Sequence, residues 1–243
     1  MSHTHNDTPD TPEEAFSPLQ RVKRRFFAMR NGILADQMRR GGLNYRVNFG
    51  LNLPQLKDIA AEIATDWGLN SGEIVDLADT LWDNVNTRES RLLAPLLVGP
   101  VLRGATVGVQ EGSQDLKGNE SVDQQVRVAA LAESWMPQAQ TVEVADILCH
   151  SLLRFHPQAL ALAAASLMPK EDADGANGLG KAAPDMERYT AIRLLVNLLS
   201  SGKAAAEEVR PLLNAEYARK CQLTLPLCRR LEEEIIFFWQ DRH

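Results

Sequence analysis

Two carboxylates, Glu143 and Asp146, stand three residues apart in the stretch Thr141-Val-Glu-Val-Ala-Asp-Ile-Leu-Cys149. Residues at that spacing share one face of an α-helix, and a threonine just ahead of such a run is a favoured helix cap. On the wall of a groove, such a pair would stabilise positive charge developing on a substrate. On a solvated face it would form ion pairs worth about 0.3 kcal/mol each. His150 and Arg154 extend the same helical stripe at four-residue steps. Cys149 and His150 are neighbours in the chain and do not face each other on a helix, which argues against a thiol–imidazole dyad.

The remaining residue types narrow the chemistry further. There is no Gly-rich phosphate loop, no nucleophile elbow and no cluster with metal-ligand spacing. The cysteines are three, Cys149, Cys221 and Cys228. An odd number without a compact framework suits reduced thiols and a cytoplasmic setting. Cys221 and Cys228 have neither the spacing nor the histidines of a zinc site, so no metal and no cofactor is expected. No apolar run approaches the roughly 20 residues of a membrane span.

The net charge of −6 over 243 residues argues against a generic nucleic-acid binder, because phosphate contacts dominate that affinity. The charge is uneven, however. Between residues 21 and 46 stand Arg21, Lys23, Arg24, Arg25, Arg30, Arg39, Arg40 and Arg46, against Asp36 alone. That segment reads either as an electrostatic footprint for DNA or as a solvated face balanced by acids elsewhere. Arg39, Arg40 and Arg46 flank Gly41-Gly42 and are candidates for backbone-phosphate contact. Arg88 and Arg91, around Glu89, are candidates too, or else a cluster holding neighbouring helical repeats together.

The elements that must position these residues are helical. Hydrophobic spacing predicts a first helix over 19–40, stopped by Gly41-Gly42. A second starts with Pro54 at its first position and ends near Gly68. Asn70 with Glu73 reads as a capping box for a third helix, and Thr87 as the cap of a fourth. Ser121 with Gln124 reads as another box, Thr141 caps the acidic helix, and Pro157 opens the next, which Pro169 ends. Helices over 186–200 and 204–214 follow, then one or two more over 216–243 with an interruption at Pro226. Trp82 and Trp135 are expected in the core, and Phe237, Phe238 and Trp239 are expected to dock the last helix. Residues 1–17 read as a disordered polar leader, and 18–243 as one domain with flexible loops near 104–120 and 169–184. No strand alternation is evident. Helix pairs recurring at about 30–45 residues without a letter-by-letter repeat point to an all-α, HEAT-like or armadillo-type superhelix. A compact helical bundle is the alternative.

Three blocks carry a resemblance. Tyr45-Arg-Val-Asn-Phe-Gly-Leu-Asn-Leu-Pro-Gln-Leu-Lys-Asp-Ile-Ala60 resembles the early block of the AlkD-like DNA alkylation repair proteins. Ala78-Asp-Thr-Leu-Trp-Asp-Asn-Val-Asn-Thr-Arg-Glu-Ser-Arg-Leu-Leu-Ala94 is similar to the next block, with its "Arg-Glu-x-Arg-x-Leu-Ala". Trp135 followed by Thr141–Cys149 is similar to the block bearing the "Trp-Asp-x-Val-Asp" signature. The likeness spans about residues 30–155. It implies a HEAT-like superhelix holding duplex DNA on its concave face, and release of cationic 3- or 7-alkylated purines by glycosidic cleavage. Within the signature Asp146 matches the last Asp and Glu143 the first, which marks both as candidate catalytic acids. Val142 falls where the signature has Trp, and Tyr189–Leu199 sits where the family has a Trp-bearing helix but carries none. Those departures leave a second expectation beside the first: a non-catalytic scaffold whose concave face binds a protein or peptide.

Overall fold

Side-chain caps start many of the helices. Ser17, Asn31, Asn52, Asn70 and Thr141 each accept a hydrogen bond from the backbone amide three residues on, which satisfies one of the amides that a helix start leaves unpaired. At Asn52 and Asn70 the third helical residue, Gln55 or Glu73, bonds back to the cap amide. The computed structural model describes residues 16–107, 117–168 and 185–240. Among these the regular structure is helical: α1 (Pro18–Ala28), α2 (Gly32–Arg40), α3 (Leu53–Asp66), α4 (Ser71–Asp83), α5 (Arg88–Val107), α6 (Lys117–Trp135), α7 (Val142–Ser151), α8 (Ala159–Leu167), α9 (Asp185–Ser200), α10 (Ala206–Arg219) and α11 (Leu225–Gln240). Short 3-10 turns cover Met136–Gln138 and Leu153–Phe155. A single β-bridge joins Val47 to Thr87. No helix among the described residues is long and apolar enough to cross a membrane.

Several boundaries differ from the sequence expectation. The first helix is two, because Asn31 leaves helical geometry to cap α2 and its amide donates to the Phe49 carbonyl at 2.7 Å. Ser17 belongs to the α1 cap rather than to a leader; residues 1–15 lie outside those described. The expected 104–120 loop narrows, since α5 continues through Val107 and α6 begins at Lys117, ahead of the supposed Ser121 box. Residues 108–116, like the loop expected at 169–184, lie outside the described residues. The α8 start is Ala159, with Gln158 as its cap. The helix expected over 204–214 extends to Arg219, and Pro226 sits in the first turn of α11, where its missing N–H costs nothing.

The chain divides within α5 into two compact units, one up to Ala94 and one from Pro95. In the first, Val22, Phe26, Leu56, Ile59, Ile63, Val75, Ala78, Leu81 and Trp82 are buried on the inward faces of α1, α3 and α4. The connection through residues 47–51 is held at Val47, whose amide donates to the Asn86 carbonyl and whose carbonyl accepts from the Arg88 amide. Gly50 adopts φ +73°, and a Cβ there would stand 2.1 Å from the Asn31 carbonyl oxygen. Only glycine fits that approach.

In the second unit α9 is the central element, packed against α7, α8 and α11. Eleven of its residues from Glu187 to Leu199 are buried, the charged Glu187 and Arg188 among them. Both of its buried charged side chains are partnered: Arg188 pairs with Glu216, which also accepts from Thr224 at 2.7 Å, and Glu187 accepts from Ser166 at 3.1 Å. Gly99 lets α5 approach the C-terminal end of α7, where a Cβ would lie 2.1 Å from the Ser151 carbonyl oxygen. The last helix docks through Cys228, Leu231 and Ile235, whereas Phe237 is exposed. This corrects its expected anchoring role; the side chains of Phe238 and Trp239 lie outside those described.

Candidate active site

The acidic helix forms as expected, with Thr141 Oγ1 accepting from the Val144 amide at 3.3 Å. Val144, Ala145, Leu148 and Cys149 turn into the unit and fix the rotation of α7. Asp146 is thereby carried to the edge of the α7–α9 contact, half-exposed. Two side chains of α9 meet it there. The Tyr189 phenol donates to Asp146 Oδ1 at 3.1 Å, and Arg193 Nε lies 3.0 Å from the same oxygen. Tyr189 and Arg193 are four residues apart, one helical turn, so one face of α9 supplies both. Among the described residues, no hydrogen bond reaches Asp146 Oδ2.

The electrostatics of the cluster follow from this packing. Burial pushes the Tyr189 phenol well above its ordinary range, and the negative charge and hydrogen bond of Asp146 add to the effect. Tyr189 is therefore a neutral donor and never an anion at neutral pH. Cys149 is fully buried, and its thiol donates to the Thr190 carbonyl oxygen at 3.3 Å. Burial, with Asp146 nearby, raises its pKa far above that of a reactive thiol. It is inert as a nucleophile. Val142 is exposed beside this cluster in sequence, one turn ahead of Asp146. Glu143 is half-buried in the first turn of α7, where a carboxylate meets the positive end of the helix dipole. The stripe does not continue to Arg154, because α7 ends at Ser151 and Arg154 falls in the following 3-10 turn. No group of three His, Cys, Asp or Glu side chains able to hold a metal occurs among the described residues.

The arginines proposed for phosphate contact separate into two sets. Arg39, Arg40 and Arg46 are exposed, and Arg39 also pairs with Asp36 at 2.7 Å. Arg88 and Arg91 are each only 2% exposed. Arg88 Nη1 donates to the Leu51 carbonyl at 2.9 Å and to Glu89 Oε1 at 3.0 Å. Arg91 Nη1 donates to the Trp82 carbonyl at 2.8 Å, and its guanidinium stacks 3.7 Å from the Trp82 ring centroid. Burial pushes the Arg91 pKa down to about 10. Burial and these carbonyl partners favour the alternative expectation for Arg88 and Arg91, a cluster that holds helices together. The Glu89 carboxylate, fully buried, accepts from the amides of Phe49, Gly50 and Leu51 at 3.1, 3.0 and 3.3 Å. The two early blocks of the resemblance therefore meet each other in a structural lock.

Tyr189 and Arg193 were not legible as site residues. Their only sequence signal is a polar pair at i, i+4 on one helix. No curated protein and no solved structure matches the chain. The family described as DNA alkylation repair enzyme matches residues 22–167, which runs from within α1 to the end of α8 and takes in the Glu89 lock and the Asp146 helix. With more than half of its length so matched, and its three motif blocks lying inside the match, the chain belongs to the DNA alkylation repair enzyme family.

Proposed function

We propose that this protein arranges its helices as a HEAT-like superhelix, binds duplex DNA on the concave face and releases alkylated purines, with Asp146 as the catalytic carboxylate. The observation that carries this reading is the half-exposed Asp146 carboxylate, oriented through Oδ1 by Tyr189 and Arg193. An alkylated purine is already cationic, so it departs without acid assistance. The electron pair of the C1′–N bond goes to the leaving base and neutralises it, and positive charge grows on the sugar. A fixed carboxylate is worth most against charge that appears only in the transition state. Water then adds at C1′, with Asp146 Oδ2 placed to take its proton. Arg39, Arg40 and Arg46 supply exposed charge for the phosphate backbone.

Incubation with methylated duplex DNA, with free 3- and 7-methylpurine measured, tests the enzyme reading. Release no faster than in buffer overturns it. Two observations favour a second reading: Arg193 partly neutralises Asp146, and Val142 stands in place of an aromatic that would face the sugar. Under that reading the chain is a non-catalytic scaffold for a protein or peptide. A salt-titrated DNA-binding measurement separates the two, because phosphate contacts weaken steeply with salt, whereas the scaffold binds no DNA even at low salt.

A further inference from the structure

Three cations converge on one aromatic ring. The Phe155 ring centroid lies 4.9 Å from the Arg103 guanidinium carbon, 4.6 Å from that of Arg154 and 4.9 Å from Lys203 Nζ. Arg103 comes from the end of α5, Arg154 and Phe155 from the 3-10 turn after α7, and Lys203 from the turn after α9. Each support is built. The Phe155 amide donates to the Leu152 carbonyl at 3.0 Å, and the Lys203 amide to that of Leu198 at 2.8 Å, with Gly202 at φ +67°. Lys203 Nζ donates to the Arg154 carbonyl at 2.9 Å, tying the two turns together.

Like charges held this close repel, and a ring face offsets only part of that. Burial lowers the pKa of Arg154 and of Lys203, and the neighbouring cation adds to the effect, Arg103 for the first and Arg154 for the second. Among the described residues, no carboxylate figures among the groups acting on either. Arg154 Nε, though buried, has no hydrogen-bond acceptor among the described residues. A fold that assembles two guanidinium forks and an ammonium, from three separate segments, has the donor set for a tetrahedral oxyanion.

We infer that Arg103, Arg154 and Lys203 around Phe155 form a phosphodiester-binding site that anchors the nucleic-acid backbone. The inference rests on the DNA-binding reading and adds to it a specific contact outside the basic N-terminal segment. The site positions the duplex and reads no base, since its donors are charges without base-edge geometry.

The test uses the full-length chain and a fluorescently labelled, undamaged duplex, with affinity followed by anisotropy at several KCl concentrations. Lys203→Gln and Arg103→Gln, both at exposed positions, are expected each to lower the slope of log affinity against log salt by about one. The loss should be equal for duplexes of different sequence, while Lys203→Arg keeps the wild-type slope. Circular dichroism melts confirm that each variant folds, and either glutamine variant suffices. Wild-type binding with unchanged slopes in the glutamine variants overturns this site and leaves the DNA reading standing. Absence of wild-type binding at low salt overturns both.

Discussion

Arg193 Nε and Asp146 Oδ1 lie 3.0 Å apart across the α7–α9 contact. That pairing orients the carboxylate and also reduces the negative field it can present. Asp146→Asn keeps the shape and removes the charge. It is expected to reduce methylpurine release at least about a hundredfold, the scale of losing one preorganised electrostatic contact. Because the pair is partly solvated, unfolding free energy should fall by only about 1 kcal/mol. Release kinetics and a urea melt on the same preparation check both outcomes.

Val142 is 41% exposed, so a larger side chain meets open space there rather than the core. Val142→Trp is expected to change stability by no more than about 0.5 kcal/mol. It should raise methylpurine release above the wild type, because an aromatic face would pack the sugar and attract its developing charge. Unchanged release with Asp146 intact would remove the missing aromatic as the limiting feature.

Glu89 is a buried anion accepting from three amides and one guanidinium. Glu89→Gln turns an amide donor toward groups that are themselves donors and leaves Arg88 without its counter-ion. A loss of about 3–5 kcal/mol is expected, read as a shifted urea midpoint. Gly50→Ala should destabilise as well, by at least about 2 kcal/mol, through its positive φ and the clash with the Asn31 carbonyl.

Arg91→Ala separates a structural arginine from a DNA contact. Removal of its bond to the Trp82 carbonyl and its stacking on that ring should cost about 2–3 kcal/mol of stability. For protein that remains folded, DNA affinity and its salt slope should stay at the wild-type values. By contrast, Arg40→Gln at an exposed position should lower the salt slope by about one with stability unchanged.

His156 supplies a pH dependence. Its Nδ1 accepts from the Gln158 amide at 3.0 Å, and its Nε2 lies 3.3 Å from Glu133 Oε1. Burial lowers its pKa below the ordinary 6.5, against the opposing pull of Glu133. With the folded value lowered, the unfolded chain binds more protons in the interval between the two values, so stability rises with pH there. The contribution is therefore present above about pH 6.5 and is lost as the solution is acidified below it. Comparison of melts across pH 5–8 for the wild type and His156→Gln should show a flatter profile in the variant.

Caps were readable because they are local. Asn70 with Glu73, and Thr141 with Val144, interact within one turn, so spacing alone identifies them. The break between α1 and α2 was not readable. Asn31 also sits in a helix-compatible run, and what ends α1 there is a carbonyl from Phe49 and the close approach of Gly50. The motif blocks pointed to the right family, yet Arg88 and Arg91 looked like phosphate contacts. A charged residue's letters are the same whether it faces water or a buried carbonyl.

The residue string alone settled the helical class, several helix starts and the family, since each depends on interactions between residues a few positions apart or on the order of motifs. Packing alone decided the surroundings of each charge. Tyr189 reaches Asp146 over 43 residues and Lys203 reaches Arg154 over 49, and burial and electrostatics act through space rather than along the chain.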